Sequence, residues 1–159
     1  MNTKYSIKRA VVSDAPEVAV MVGELLTEIM AAVGIQAFNF NLAETTERLI
    51  DFINREKYFV FVVCGVKDKP AGFIALYESY ALYAEGTFGT IPELYISPEY
   101  RSNELGRFLV SQAKHFGASR GWSRLEVTTP PLPQFDRTLA FYEREGFSIT
   151  GGSKLKIAI

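Results

Sequence analysis

The chain has 159 residues, 48% of them apolar and 22% charged, with a formal net charge of -1. That length suits one compact domain spanning 1–159 around a single core, and the balance excludes disordered, collagen-like and repeat classes. So small a net charge gives no global field toward DNA, RNA or anionic lipid, and neither nucleic acid nor membrane is expected as a partner.

The first strand is expected over Tyr5–Val12, where apolar residues alternate. Ser13 and Asp14 supply helix-capping chemistry, Asp14 with Glu17 reading as a capping-box pair and Pro16 fitting a first turn. Val18, Val22, Leu25, Ile29 and Val33 then recur at helical spacing until Gly34. A second helix is expected over Leu42–Arg55, burying Leu42, Leu49, Phe52 and Ile53. Tyr58–Lys67 is a nearly unbroken apolar run, the pattern of a strand covered on both faces. Its lone thiol, Cys64, cannot form an internal disulfide and reads as a small buried hydrophobe.

Lys67–Pro70 predicts a hairpin turn, followed by a strand over Gly72–Tyr83 and another over Thr87–Ser97, stopped by Pro98. A helix follows from Asn103 to Arg120, with Gly117 as a weak point inside it and Gly121 as its end. It carries the chain's one histidine, His115, which has no second histidine nearby, so no metal is expected. Arg124–Thr129 reads as a strand, broken by Pro130, Pro131 and Pro133. The last helix covers Gln134–Glu145, ending at Gly146, and Phe147–Thr150 with Lys154–Ile159 are expected to close as a hairpin. The fold class is therefore α/β (α+β), a mostly antiparallel sheet flanked by helices. Met1–Ala10 lacks the apolar stretch of a signal peptide and no run is long enough to cross a bilayer, so the expected location is cytoplasmic.

Chemistry concentrates in Glu93-Leu94-Tyr95-Ile96-Ser97-Pro98-Glu99-Tyr100-Arg101-Ser102-Asn103-Glu104-Leu105-Gly106-Arg107. An apolar strand runs into a tight turn and then an amphipathic helix. Such a turn leaves successive N–H groups unpaired at the positive end of the helix dipole, which is a phosphate-binding geometry. Arg101 and Arg107 add positive charge. A second segment, Phe141-Tyr142-Glu143-Arg144-Glu145-Gly146-Phe147, places a tyrosine one turn before a glycine-capped helix end.

Together these segments resemble the GNAT superfamily of N-acetyltransferases. Leu94-Tyr95-Ile96, Pro98-Glu99-Tyr100 and Arg101-x-x-Glu104-x-Gly106 stand where that family has its strand, its Pro-x-Tyr turn and its Arg/Gln-x-x-Gly-x-Gly/Ala loop. Phe141, Tyr142, Gly146 and Phe147 match the family's Phe-Tyr-x-x-x-Gly-Phe signature. Glu104 replaces the family's first loop glycine, so its carboxylate must turn to solvent. Phe135 stands where the family often has an asparagine.

The resemblance implies a GNAT-type acyltransferase fold and acetyl-CoA as cosubstrate, with no metal. The amides of Ser102, Asn103, Glu104, Leu105, Gly106 and Arg107 would hold its diphosphate, aided by Arg101. The backbone of Leu94, Tyr95 and Ile96 would pair with the pantetheine, one N–H there polarising the thioester carbonyl. Glu126 stands where some members keep a glutamate base, Glu93 is the second choice, and Tyr142 would be the acid. The implied partner is an amine acceptor, small molecule or peptide. Tyr77, Tyr80, Tyr83, Phe88, Glu78 and Glu85, with Phe38 and Phe40, suit a cationic one. A homodimer through Leu155, Ile157, Ala158 and Ile159 is a further expectation. The alternative reading is a silent domain of the same fold that binds acyl-CoA without turnover.

Overall fold

The computed structural model describes residues 4–159. Contacts divide the chain into two compact units, Met1–Thr128 and Thr129–Ile159. The first carries a six-stranded sheet ordered β1-β2-β3-β4-β6, with β5 pairing β3 beside β4. The strands are β1 (Ser6–Arg9), β2 (Phe59–Cys64), β3 (Pro70–Ala81), β4 (Gly86–Ile91), β5 (Leu94–Ile96) and β6 (Leu125–Val127). All pairings are antiparallel except β4 with β6. The helices of this unit are α1 (Ala15–Val33), α2 (Leu42–Asn54) and α3 (Leu105–Ser119).

β2 explains why its sequence shows no alternation: all of its residues are buried. Val60, Val62 and Cys64 join a core with Val18 and Met21 of α1 and Leu49 of α2. Phe59 and Phe61 point the other way, their rings 4.9 and 5.3 Å from Phe116 of α3. The strand is therefore sandwiched between helical layers, the condition that favours a continuous apolar run.

Several local expectations are corrected. The first strand ends at Arg9 because the Asp14 carboxylate accepts the Val11 N–H at 2.8 Å and pairs with Lys8 at 3.0 Å, drawing the chain into a 3-10 turn over Val12–Asp14. Asp14 thus caps that turn, and no side-chain hydrogen bond caps α1. At the other end Gly34 adopts φ +75° and donates to Met30, the expected stop. Leu42, expected inside, is 47% exposed, because it follows the N-cap Asn41, whose side chain accepts from Glu44.

The largest departure lies in the strand expected over Thr87–Ser97. It breaks at Pro92 and Glu93 into β4 and β5, since proline has no N–H to donate to a ladder. β3 is long enough to serve both pieces: Tyr77–Ala81 pairs with β4 and Gly72–Ile74 with β5. β4 also holds β6, with Ile91 opposite Val127, but β5 does not continue that pairing. The two strands separate past Ile91, and the edge of β5 turned away from β3 opens.

Gly117 is no weak point. A Cβ there, or at Gly89 of β4, would come within 2.8 or 2.4 Å of the Trp122 ring. The two bare backbones form the slot that receives the indole, whose N–H donates to Glu78 at 2.9 Å.

The second unit carries α4 (Asp136–Arg144). Its end is a Schellman cap: Phe147 N–H bonds to Tyr142 O and Gly146 N–H to Glu143 O, with Gly146 at φ +98°. The Tyr142 and Phe147 rings meet edge-on at 5.3 Å, the apolar contact that accompanies such a cap. The closing hairpin is not formed. Among the described residues, no strand lies after α4, and Ile149, Leu155, Ile157 and Ile159 are exposed. Two strands alone are marginal in water, and Gly151-Gly152 adds a flexible turn that weakens the pair further.

Candidate active site

The loop after β5 begins with a 3-10 turn over Pro98–Tyr100. The Asn103 side-chain amide then donates to the carbonyls of Tyr100 and Arg101, at 3.1 and 3.3 Å, pinning the chain from within. Ser102 and Glu104 both adopt left-handed backbone, φ +71° and +61°, an arrangement that curls consecutive amides onto one concavity. Glu104 is the N-cap of α3, and its carbonyl accepts from Phe108. Among the described residues, no group accepts a hydrogen bond from the amides of Ser102, Asn103, Glu104, Leu105, Gly106 or Arg107. These donors stand at the positive end of a 15-residue helix.

Glu104 turns outward as its position requires. Its side chain is 67% exposed and lies 3.7 Å from the Arg107 guanidinium. Arg101 is engaged elsewhere: Nε donates to Ile96 O at 2.9 Å and Nη2 to Glu28 of α1 at 2.7 Å. It braces the end of β5 against α1 rather than standing free beside the loop.

Backbone direction along β5 is fixed by its bonds to β3. Glu93 O accepts from Ala75, and Ser97 N–H donates to Ala71. Strand alternation therefore sends the N–H and C=O of Leu94 and Ile96 to the opposite edge, where Ile96 O is already taken by Arg101 and the other three groups face outward. Tyr95 is buried in the core beneath.

The two candidate bases separate sharply. Glu126 lies on β6, 44% exposed, with Arg124 at 2.7 Å. Glu93 stands at the break between β4 and β5, and burial pushes its carboxyl up to about 7 despite the opposing hydrogen bond from Tyr58. Tyr58 Oη lies 3.5 Å from Glu93 Oε2. A carboxyl that titrates near neutrality can take up a proton in catalysis, whereas the Glu126 carboxylate is held in a surface ion pair.

The residues expected around the acceptor come together only in part: the Tyr80 hydroxyl donates to Glu78 at 3.0 Å, and the Arg124 guanidinium lies over both the Tyr83 and Phe88 rings. Tyr80 and Tyr83 project from the β3–β4 hairpin, 73% and 79% exposed. Glu78 is bound by Arg120 and Trp122, which hold its carboxyl down to about 2. Phe88 is buried, with the Arg124 guanidinium 4.8 Å from its ring. Only Tyr77 reaches the Glu93 region, stacked on Tyr58 at 6.2 Å. Phe40 packs on α1, where its ring closes over Gly23. Tyr142, in the second unit, is buried and its phenol is raised by that burial.

The acetyltransferase (GNAT) family model matches residues 26–147. Among solved structures, an aminoglycoside acetyltransferase, meta-AAC0020, from an uncultured soil metagenomic sample is 18% identical. It superposes with a TM-score of 0.78, covering 99% of this chain and 98% of its own. A GCN5-related N-acetyltransferase from Ralstonia eutropha JMP134, also 18% identical, gives 0.76 over 96% and 98%. A predicted acetyltransferase with acetyl-CoA from Clostridium acetobutylicum, 14% identical, gives 0.77 over 97% and 96%. These likenesses establish the shared fold. No curated protein sequence matches the chain.

Proposed function

The chain belongs to the GNAT acetyltransferase family, and from that premise we propose that it moves an acetyl group from acetyl-CoA to a primary amine by direct attack in a ternary complex. The observation that carries this reading is the run of amides from Ser102 to Arg107 with no acceptor among the described residues, at the end of a strand with an open edge. Six convergent donors on a helix N-terminus fit a diphosphate, and the open edge of β5 fits an extended amide chain laid beside it. The acetyl thioester that acetyl-CoA brings is the activated acyl group.

Each residue has a separate task. The amides of Ser102 to Arg107 hold the diphosphate, and Arg107 adds charge nearby. Leu94 and Ile96 align the pantetheine, and an N–H of that edge stabilises negative charge on the thioester oxygen during attack. Arg101 keeps the end of β5 straight through Ile96 O. Glu93 takes the proton from the amine. For an amine as basic as lysine, deprotonation across about three pH units costs roughly 4 kcal/mol, so a positioned base is a large part of catalysis. Glu126 is the weaker candidate because its carboxylate already accepts from Arg124.

The assignment of Tyr142 as acid to the leaving thiolate rests on its place in the Phe-Tyr-x-x-x-Gly-Phe motif. The Schellman cap gives the same residue a structural role, and Tyr142→Phe separates the two because the ring contact with Phe147 survives. Thioester consumption with release of free CoA, followed across a panel of small-molecule and peptide amines, tests the proposed function. The expected result is turnover on at least one amine, lowered by about tenfold or more in Tyr142→Phe with acetyl-CoA affinity and melting temperature unchanged. Acetyl-CoA binding with no turnover on any amine would assign the chain to a silent binding domain instead. The aminoglycoside acetyltransferase solved in complex with sisomicin makes polyamine-like small molecules a rational start for the panel.

A further inference from the structure

We propose that Tyr58 is a positioning residue for the reaction: its hydroxyl donates to Oε2 of Glu93 and leaves Oε1 to take the proton from the amine. The proposal rests on the reading of Glu93 as base, and its geometry comes from a part of the chain outside the two recognised motifs. Tyr58 enters between α2 and β2, 35 residues from Glu93 in sequence. The end of α2 fixes its backbone, with Lys57 and Tyr58 N–H both bonded to Phe52 O. Its ring is held by two neighbours, Phe52 at 5.0 Å and Tyr77 of β3 at 6.2 Å with planes only 13° apart. A ring clamped in this way presents its hydroxyl along one direction.

The 3.5 Å separation between Tyr58 Oη and Glu93 Oε2 is longer than an ordinary O–H···O bond; the hydroxyl is aimed at the carboxylate and closes on it when substrate binds, as catalytic hydrogen bonds commonly do. Burial and the adjacent carboxylate both push the Tyr58 phenol up, so it remains a donor at any pH where the enzyme works. The other titratable group facing the pair is the Tyr77 phenol, behind Tyr58. Among the described residues, no lysine, arginine or histidine forms an ion pair with Glu93. The Tyr58 hydroxyl is therefore the group that selects the ionised carboxylate and orients it. Transfer is balanced: one N–H bond of the ammonium breaks as one O–H bond forms on Oε1, the freed lone pair forms the new C–N bond, the C–S bond to CoA breaks, and the thiolate leaves with a proton from Tyr142 that the second amine proton replaces.

The test is a pH titration of the Glu93 side-chain carbon by NMR in 13C-glutamate-labelled protein, assigned with Glu93→Gln, alongside pH profiles of kcat/KM for acetyl transfer. In Tyr58→Phe the stacked ring is kept and the donor lost. Its Glu93 midpoint, and the acidic limb of its kcat/KM profile, should move up by about half a unit to one unit. Site-specific 3-fluorotyrosine at position 58, a stronger donor of nearly the same size, should move both down and covers the case in which Tyr58→Phe fails to fold. A Glu93 midpoint unmoved in a folded variant overturns the positioning role and leaves Glu93 as base untouched. Full activity in Glu93→Gln would instead remove the base, while the NMR midpoint still decides whether Tyr58 governs that carboxyl.

Discussion

Glu93→Gln is expected to lower the turnover number of acetyl transfer by about 100- to 10,000-fold without weakening acetyl-CoA binding. The main-chain bond from Ala75 N–H to Glu93 O is unaffected by the side chain, so β5 and the loop beyond it should hold their places. The substitution removes only the group whose carboxyl burial raises to about 7. A stability signature accompanies the loss. A carboxyl raised in the folded state favours its protonated form there. The stability it contributes is complete below its ordinary value and is lost as pH rises to about 7. Glutamine mimics the neutral form at every pH. The variant should therefore match the wild type near about pH 4 and melt at a higher temperature than wild type near about pH 8. Thermal unfolding at the two pH values, beside steady-state kinetics, checks both halves. A Glu93→Gln enzyme with wild-type turnover would remove Glu93 from the mechanism.

Trp122→Ala should destabilise the protein by about 3–5 kcal/mol. The indole lies between Gly89 and Gly117, where neither backbone has a side chain to collapse into the space left behind. Phe59 and Phe116 pack against it at 6.3 and 5.5 Å. Glu78 would lose the indole N–H and keep Arg120, whose guanidinium lies 2.7 Å away. Arg120 also covers Phe59, 4.6 Å from the ring centroid, so a shift of that arginine would spread the damage into β2. Denaturant unfolding measures the effect. A loss below about 1 kcal/mol would mean that the slot closes by relaxation and that the two glycines serve another purpose.

Much of the architecture is legible from the residues. The α1, α2 and α3 patterns, the unbroken apolar run of β2 and the glycine stops at Gly34 and Gly146 each reflect local physics that tertiary contacts do not override. The expected strands around Pro92 and after α4 show where that reading fails. A proline in a strand pattern marks a break, but whether the pieces share one neighbour depends on the length of β3. The alternation of Leu155, Ile157 and Ile159 describes a strand in search of a partner, and sequence alone cannot supply one.

The candidate site divides along the same line. In the proposed function the run from Leu94 to Arg107 acts through its backbone, and backbone geometry follows from a strand, a turn and a helix start that are adjacent in sequence. Side chains that depend on distant partners are not legible in this way. Arg101 reads as positive charge beside the loop, and its bonds to Glu28 and Ile96 O come from elements that the motif does not contain. Glu126 reads as a base until Arg124, two residues earlier, is seen to pair with it. Glu93 gains its raised carboxyl from enclosure and its orientation from Tyr58, and neither is encoded nearby.

The account depends above all on the amides between Ser102 and Arg107 being the seat of a diphosphate. Amide NMR spectra of 15N-labelled protein during titration with CoA address this directly. Saturable shifts concentrated at the N–H groups of Ser102 to Arg107, joined by Leu94 and Ile96 on the open edge of β5, are the predicted result. Shifts confined to other parts of the chain, with those eight amides unmoved at saturation, would contradict it.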